Sequence, residues 1–276
     1  MKIRIIADSS ANLRTNASNT VVSVPLTIRT AEKEFVDDAN LDIIEMTDYL
    51  ASYKGKSGSA CPSSQDFYEA FGEEENIFVI TITRNLSGSY NAARIATEEY
   101  KAEHPERNIC LLDTLSAGPE LKLIVEKIQE LNDKGLSFTE ICNSITKYQE
   151  KTHLVFMLKS LTNLANNGRV NPAVAKIAGV LNILVIGIAS AVGTLEQKEK
   201  ARGEKKAIAA LRKVMDKMGY IGGKARIDHC FNEADAKKIK ELILSIYPNA
   251  DVTIAKNHGL CSFYAERGGI LVGFEG

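Results

Sequence analysis

The run Ile77 to Ile82 carries apolar side chains on both faces of a would-be strand, and this most restricts what the chain can build. A strand apolar on both faces has to be covered on both, which is the environment of a central strand in a parallel sheet with helices above and below. The next segment fits that environment: Asn85-Leu86-Ser87-Gly88-Ser89 leads into a helical pattern from Tyr90 to Tyr100. The same strand, polar edge and helix recur elsewhere. Lys2 to Ala7 is a β-branched run ending in Asp8-Ser9-Ser10, and Asn108 to Asp113 is followed by helical patterns at about Glu120 to Asn132 and Ser137 to Gln149. Val21 to Thr27 reads as a further strand, Leu41 to Tyr53 as a helix, Lys54 to Ser64 as a loop, and Phe67 to Phe71 as a short helix. The first half is therefore a βα-alternating, mostly parallel sheet.

The second half opens with the short strand His153 to Phe156 and a helix that stops at Asn166-Asn167-Gly168, a C-capping sequence. Helices are predicted over Ala173 to Gly179, Gly203 to Met218 and Glu233 to Tyr247, and strands over Leu181 to Ile188, Ala225 to His229, Val252 to Ala255 and Ile270 to Phe274. With 276 residues the chain has room for two modest domains, read here as 1–152 and 153–276. The apolar run Ala178 to Gly193 is interrupted by Asn182, Ser190 and three glycines and is too short to span a bilayer, so no integral membrane segment is expected.

Thirty-four Lys and Arg against 35 Asp and Glu give a net charge of −1, leaving no positive field to hold nucleic acid or an anionic membrane. The five cysteines are odd in number, widely spaced and without a CxxC pair, which suits free thiols in a cytoplasmic protein. No metal site is expected from them or from the four histidines. Neither glycine-rich phosphate-loop pattern and no G-x-S-x-G elbow occurs, so no nucleotide cofactor and no hydrolase triad is predicted.

Two polar loops remain. Asn85 to Ser89 gathers hydroxyls and N–H groups at a sheet edge and helix start, an arrangement that suits an anion, although Ser87 or Ser89 could equally just cap the helix. Ser57-Gly58-Ser59-Ala60-Cys61-Pro62-Ser63-Ser64 reads either way as well. Asp8-Ser9-Ser10 is expected to satisfy backbone groups where its strand ends. Arg169 and Arg202 are, in isolation, ordinary surface charges.

In this order these segments resemble the DegV family over essentially the whole chain. The resemblance is carried by Ala7-Asp8-Ser9-Ser10, Val24-Pro25-Leu26, Ser59-Ala60-Cys61-Pro62-Ser63, Leu86-Ser87-Gly88-Ser89-Tyr90, Leu161 to Val170, Leu181-Asn182-Ile183 and Ala201-Arg202-Gly203. It implies an α/β protein of two domains, an N-terminal three-layer domain with a mostly parallel sheet and a smaller C-terminal α/β domain, with a ligand tunnel between them. It further implies that the tunnel holds a long-chain fatty acid whose carboxylate is bound by hydroxyl groups, mapping onto Ser59 and Ser87 with Gly88 beside them. Arg169 and Arg202 then stand at the tunnel mouth, where a separate fatty acid kinase subunit would dock. The sequence departs from the family pattern at Ala60 and Cys61, at Leu184-Val185, and at Ala265, which occupies the position of a C-terminal histidine.

On this reading the protein is a non-catalytic lipid carrier, with the fatty acid as ligand and no cofactor. The rival readings are a hydrolase or phosphotransferase using Asp8, Ser9 and Ser87 at the sheet edge, and a regulatory module whose ligand controls its binding to another protein.

Overall fold

The computed structural model describes residues 1–173 and 182–276 and contains three sheets. Strands β1 (Ile3–Asp8), β2 (Val21–Val24), β6 (Asn76–Thr81) and β7 (Asn108–Asp113) form a wholly parallel sheet in the order β2-β1-β6-β7. Alternation along β1 explains its layering. Ile5 and Ala7 pack on one side with helices α4 (Pro119–Asp133) and α5 (Phe138–Gln149), while Ile6 packs on the other with α2 (Ser64–Ala70) and α3 (Ser89–Glu103). The three layers expected of this half are present.

The predicted strand Val21 to Thr27 is in fact two, because Pro25 cannot donate to a ladder and breaks the run. Its second part is β3 (Thr27–Arg29), which joins β4 (Glu34–Val36) and β5 (Gly58–Ala60) in a small antiparallel sheet. The segment read as a loop, Lys54 to Ser64, therefore contains a strand, and the pairing of Ser59 with Ile28 fixes that serine's position. Three residues of Gly, Ser and Ala carry too little hydrophobic pattern to reveal it. Between β4 and β5 runs α1 (Ile43–Ser52), capped by Asp42, which accepts from the N–H groups of Ile44 and Glu45.

The second half builds a six-stranded sheet in the order β10-β9-β8-β13-β11-β12, from β8 (Thr152–Leu158), β9 (Ile183–Ala189), β10 (Leu195–Arg202), β11 (Ala225–His229), β12 (Val252–Lys256) and β13 (Ile270–Glu275). Only β11 and β12 are parallel neighbours, so this domain is α/β with a mixed sheet. Edge strand β10 escapes a sequence reading because Glu196-Gln197-Lys198-Glu199-Lys200 lacks an apolar face, as solvated edge strands do. One face of the sheet packs on α7 (Glu204–Lys217) and α8 (Glu233–Ile246) through Val155, Met157, Ile227 and Val272. Short helices α6 (Thr162–Asn166) and α9 (Gly259–Ala265) lie on the opposite side. The helix predicted over Ala173 to Gly179 and the Leu181 end of the strand predicted over Leu181 to Ile188 fall largely within 174–181, outside the described residues.

The two halves are tied by α4, which also packs on β13, β11 and β8, and by polar contacts across the junction. Arg226 pairs with Glu126 at 2.7 Å, Lys122 with Asp228 at 3.1 Å, and the Asn12 amide donates to Asp228 at 2.8 Å. Asp37, fully buried, accepts from the N–H groups of Gly259 (2.8 Å) and Leu260 (2.9 Å) and pairs with Arg14 at 3.1 Å, thereby anchoring α9 to the first half. Asp37→Ala leaves the two α9 N–H groups without their acceptor and removes the Arg14 ion pair, leaving Arg14 only its bond to the backbone oxygen of residue 37, and a loss of about 3 kcal/mol is expected. Thermal denaturation should show a melting temperature lower by roughly 6–12 °C; an unchanged value contradicts this role for Asp37.

Candidate functional site

The face of the six-stranded sheet turned away from α7 and α8 bears Leu154, Phe156 and Leu158 from β8, Leu195 from β10 and Leu271 from β13. Opposite them stand Leu26, Ile82, Leu86 and Ala117 of the first half, with Leu164 of α6 and Leu260, Cys261 and Ala265 of α9 closing the ends. Together they line a narrow cavity of about 70 Å³ between the two halves. Its wall is almost wholly hydrocarbon. Such a cavity repels water and favours an apolar occupant.

Besides Ser10, which also borders the cavity, polar groups gather at one part of this wall: Ser87, Arg169 and Tyr264. Each has a local reason to be there. Ser87 precedes α3, and its Oγ accepts from the Ser89 N–H at 3.2 Å. The capping role raised by the sequence is thus real, yet the same side chain borders the cavity. Gly168, at φ +72°, ends α6 in the left-handed conformation that glycine permits, turning Arg169 back over the helix end. The Arg169 guanidinium then donates to the backbone oxygens of Leu86 (3.1 Å) and Asn167 (2.5 Å) and lies 5.9 Å from the Tyr264 ring. The Tyr264 hydroxyl is 2.8 Å from the Ser59 hydroxyl.

Of the residues singled out in the sequence, Ser87 and Arg169 line the cavity, and Ser59 sits one hydrogen bond behind it through Tyr264. Gly88 is the N-cap residue of α3; a Cβ there would lie 2.9 Å from the Cys61 sulfur, so its missing side chain lets Cys61, directly after β5, approach the helix start. Arg169 is half-buried rather than a freely exposed surface charge. Arg202 is exposed at the far end of edge strand β10 and is not brought to Arg169. Sequence reasoning misses Tyr264. Its place at the cavity comes from the contact with Ser59, 205 residues away in the chain.

Asp8 and Ser9 take no part in the cavity wall. Asp8 accepts from Ser10 Oγ (2.5 Å), Ser10 N (3.2 Å) and Ile82 N (2.9 Å), while Ser9 Oγ accepts from Leu26 N (3.0 Å). Burial pushes the Asp8 carboxyl upward, against these bonds. The trio satisfies backbone groups at the strand end, as its sequence suggested.

A second, more polar cavity of about 610 Å³ opens at the junction of the two halves and is bordered by Leu115, Glu120, Thr146, Thr152, His153, Ala189 and Ser190, among others. Glu120, itself buried, accepts from Thr152 Oγ1 at 2.9 Å and from the Ser116 hydroxyl. Burial pushes its carboxyl up to about 7 in spite of those two bonds. Among the described residues no cluster of acidic, histidine and cysteine side chains is arranged to hold a metal ion.

Comparison with known proteins bears directly on this architecture. A family model described as DegV matches residues 2–275. A DegV domain-containing protein of Streptococcus pneumoniae is 47% identical over 279 residues, spanning 100% of this chain and 99% of that protein. Among solved structures, a DegV family protein from Eubacterium eligens loaded with heptadecanoic acid superposes with a TM-score of 0.96 at 46% identity, covering 99% of each chain. The Streptococcus pneumoniae fatty acid kinase B3 protein loaded with linoleic acid gives 0.97 at 46% identity, covering 100% of this chain and 99% of that one.

Glu120 makes stability depend on pH. Between its ordinary value of 4.5 and about 7 the folded protein keeps a proton that the unfolded chain has lost. This contribution therefore falls as pH rises through that window and is constant above it. Glu120→Gln, which stays neutral, should be more stable relative to wild type at pH 8 than at pH 5, by about 1–3 kcal/mol. Urea denaturation at the two pH values measures this, and an equal difference at both contradicts the burial argument.

Proposed function

The chain belongs to the DegV family, and we propose that it binds one long-chain fatty acid between its two domains and presents the carboxylate to a separate fatty acid kinase subunit, without transforming it. The observation that carries this is the apolar cavity with Ser87, Tyr264 and Arg169 gathered on its wall beside Ser59. A hydrocarbon tail in such a site gains about 0.8 kcal/mol per buried CH₂. Hydrogen bonds to an ionised carboxylate add roughly 1.5–3 kcal/mol each. The fatty acids in the Eubacterium eligens and Streptococcus pneumoniae structures, and the second protein's description as part of a fatty acid kinase, support the same assignment.

In this reading Ser87 and the Ser59–Tyr264 pair hydrogen-bond the carboxylate, Gly88 lets β5 and the start of α3 come together beside them, and Arg169 contributes positive charge. The hydroxyls implied by the family resemblance thus act with a cation. The dividing line at 152/153 fits the sheets: all four strands of the parallel sheet precede it, and the six-stranded sheet begins with Thr152. The protein acts in the cytoplasm, consistent with five unpaired thiols and with the absence, among the described residues, of any helix long and apolar enough to cross a membrane. The hydrolase reading gains no observation, since the Asp8 carboxylate and the Ser9 hydroxyl are engaged by their own backbone surroundings.

Protein purified from bacteria and extracted under denaturing conditions should release near-stoichiometric long-chain fatty acid, identified by mass spectrometry. Ser59→Ala, Ser87→Ala and Tyr264→Phe should each weaken rebinding about 10- to 150-fold while leaving the fold intact. A lipid-free extract together with unaltered melting on adding fatty acid contradicts the carrier role.

Arg202 is the docking residue in this scheme because it is exposed and remote from the cavity wall, and an arginine fork suits acidic or phosphoryl partners. Arg202→Ala should keep fatty-acid affinity within a few fold yet lower acyl phosphate formation when the kinase subunit and ATP are supplied. Arg169→Ala should lower both. Equal phosphorylation by wild type and Arg202→Ala contradicts docking at that residue.

A further inference from the structure

The two cavities are neighbours, and a thin polar partition separates them. On β8, Leu154 borders the first cavity and Thr152, two residues away on the same face of the strand, borders the second. On the β9–β10 pair, Leu195 borders the first and its register partner Ala189 the second. After β7, Ala117 borders the first and Leu115 the second, with buried Ser116 between them. Thus three separate segments pass from one cavity to the other within a step or two. The group standing at that step is the Glu120 carboxyl, held by the Thr152 and Ser116 hydroxyls. Glu120 is 4% exposed and Thr152 3%, so the cluster is buried although it borders the second cavity.

We propose that the Glu120–Thr152–Ser116 cluster is the stop that limits the length of the bound acyl chain, a reading that rests on fatty-acid binding in the first cavity. Its polarity matters more than its bulk. A terminal methyl pushed into this cluster would break the hydrogen bonds that the buried Glu120 carboxyl accepts from Thr152 and Ser116, and that costs more than the burial of one or two further methylenes returns. Beyond the stop the space is not filled: the second cavity would admit a longer tail if the cluster were made apolar. The turn that carries Glu120 cannot retreat, because Gly273 of β13 already lies so close that a Cβ there would be 2.4 Å from the Glu120 backbone nitrogen.

The test uses delipidated full-length protein and a series of saturated fatty acids lengthened by two carbons at a time, with affinity measured by competition against one fluorescent fatty acid. Wild type should bind each longer acid roughly tenfold more tightly up to a limit and then lose affinity. Glu120→Ala and Thr152→Val, the latter nearly isosteric, should each move that limit upward by at least two carbons, whereas Glu120→Gln should leave it in place. A limit unchanged in both folded variants, with normal affinity for shorter acids, overturns the stop alone. Failure of wild type to bind an acid of any length overturns the fatty-acid reading as well.

Discussion

The structure depends on one apolar sheet face that its own domain covers only in part, through the short helices α6 and α9. Along β8 the side chains alternate strictly, with Val155 and Met157 against α7 and α8 and Leu154, Phe156 and Leu158 on the other side. That second face needs a partner, because exposed hydrocarbon on this scale is unfavourable. Helix α4 and the edge of the first domain cover part of it, and the remainder faces the cavity. An empty apolar cavity forfeits packing on every side, and water gains no partners there. An acyl chain bound there, as proposed, would complete this packing and add to the α4 and polar contacts that already join the two halves.

The polar corner follows from the same economy. A carboxylate taken out of water needs donors, and the fold supplies them from elements that are fixed for other reasons: β5 by its pairing with β3, α3 by the strand before it, and α9 by the buried Asp37. None of these donors has to move for chemistry to occur. A carboxylate held by hydroxyls and one guanidinium would be anchored yet left unreacted, which is what the proposed carrier role requires.

Most of the fold was legible because parallel strands announce themselves: Asn108–Asp113 has the bounds read from its pattern, and β1 and β6 are displaced by a single residue. Elements without an apolar face were not legible. Strand β10 reads as a charged run and β5 as a flexible loop, and both are held by neighbours rather than by propensity. Ser87 could be identified in the sequence, but its dual position, bonded to Ser89 and bordering the cavity, could not. Tyr264 and Glu120 were invisible for a different reason. Their importance comes from contacts across 205 and 32 residues of chain, to Ser59 and Thr152, and single-sequence pattern carries no record of such pairs.

The most direct test of the account is carbon NMR of a carboxyl-labelled long-chain fatty acid bound to the delipidated protein, followed as a function of pH. A carboxylate buried against Ser87, Tyr264 and Arg169 should give one narrow bound resonance that stays constant through the range in which free carboxylates titrate, and that shifts when Ser87 is replaced by Ala. A bound resonance that titrates like the free acid would place the head group in solvent and contradict the site described for it.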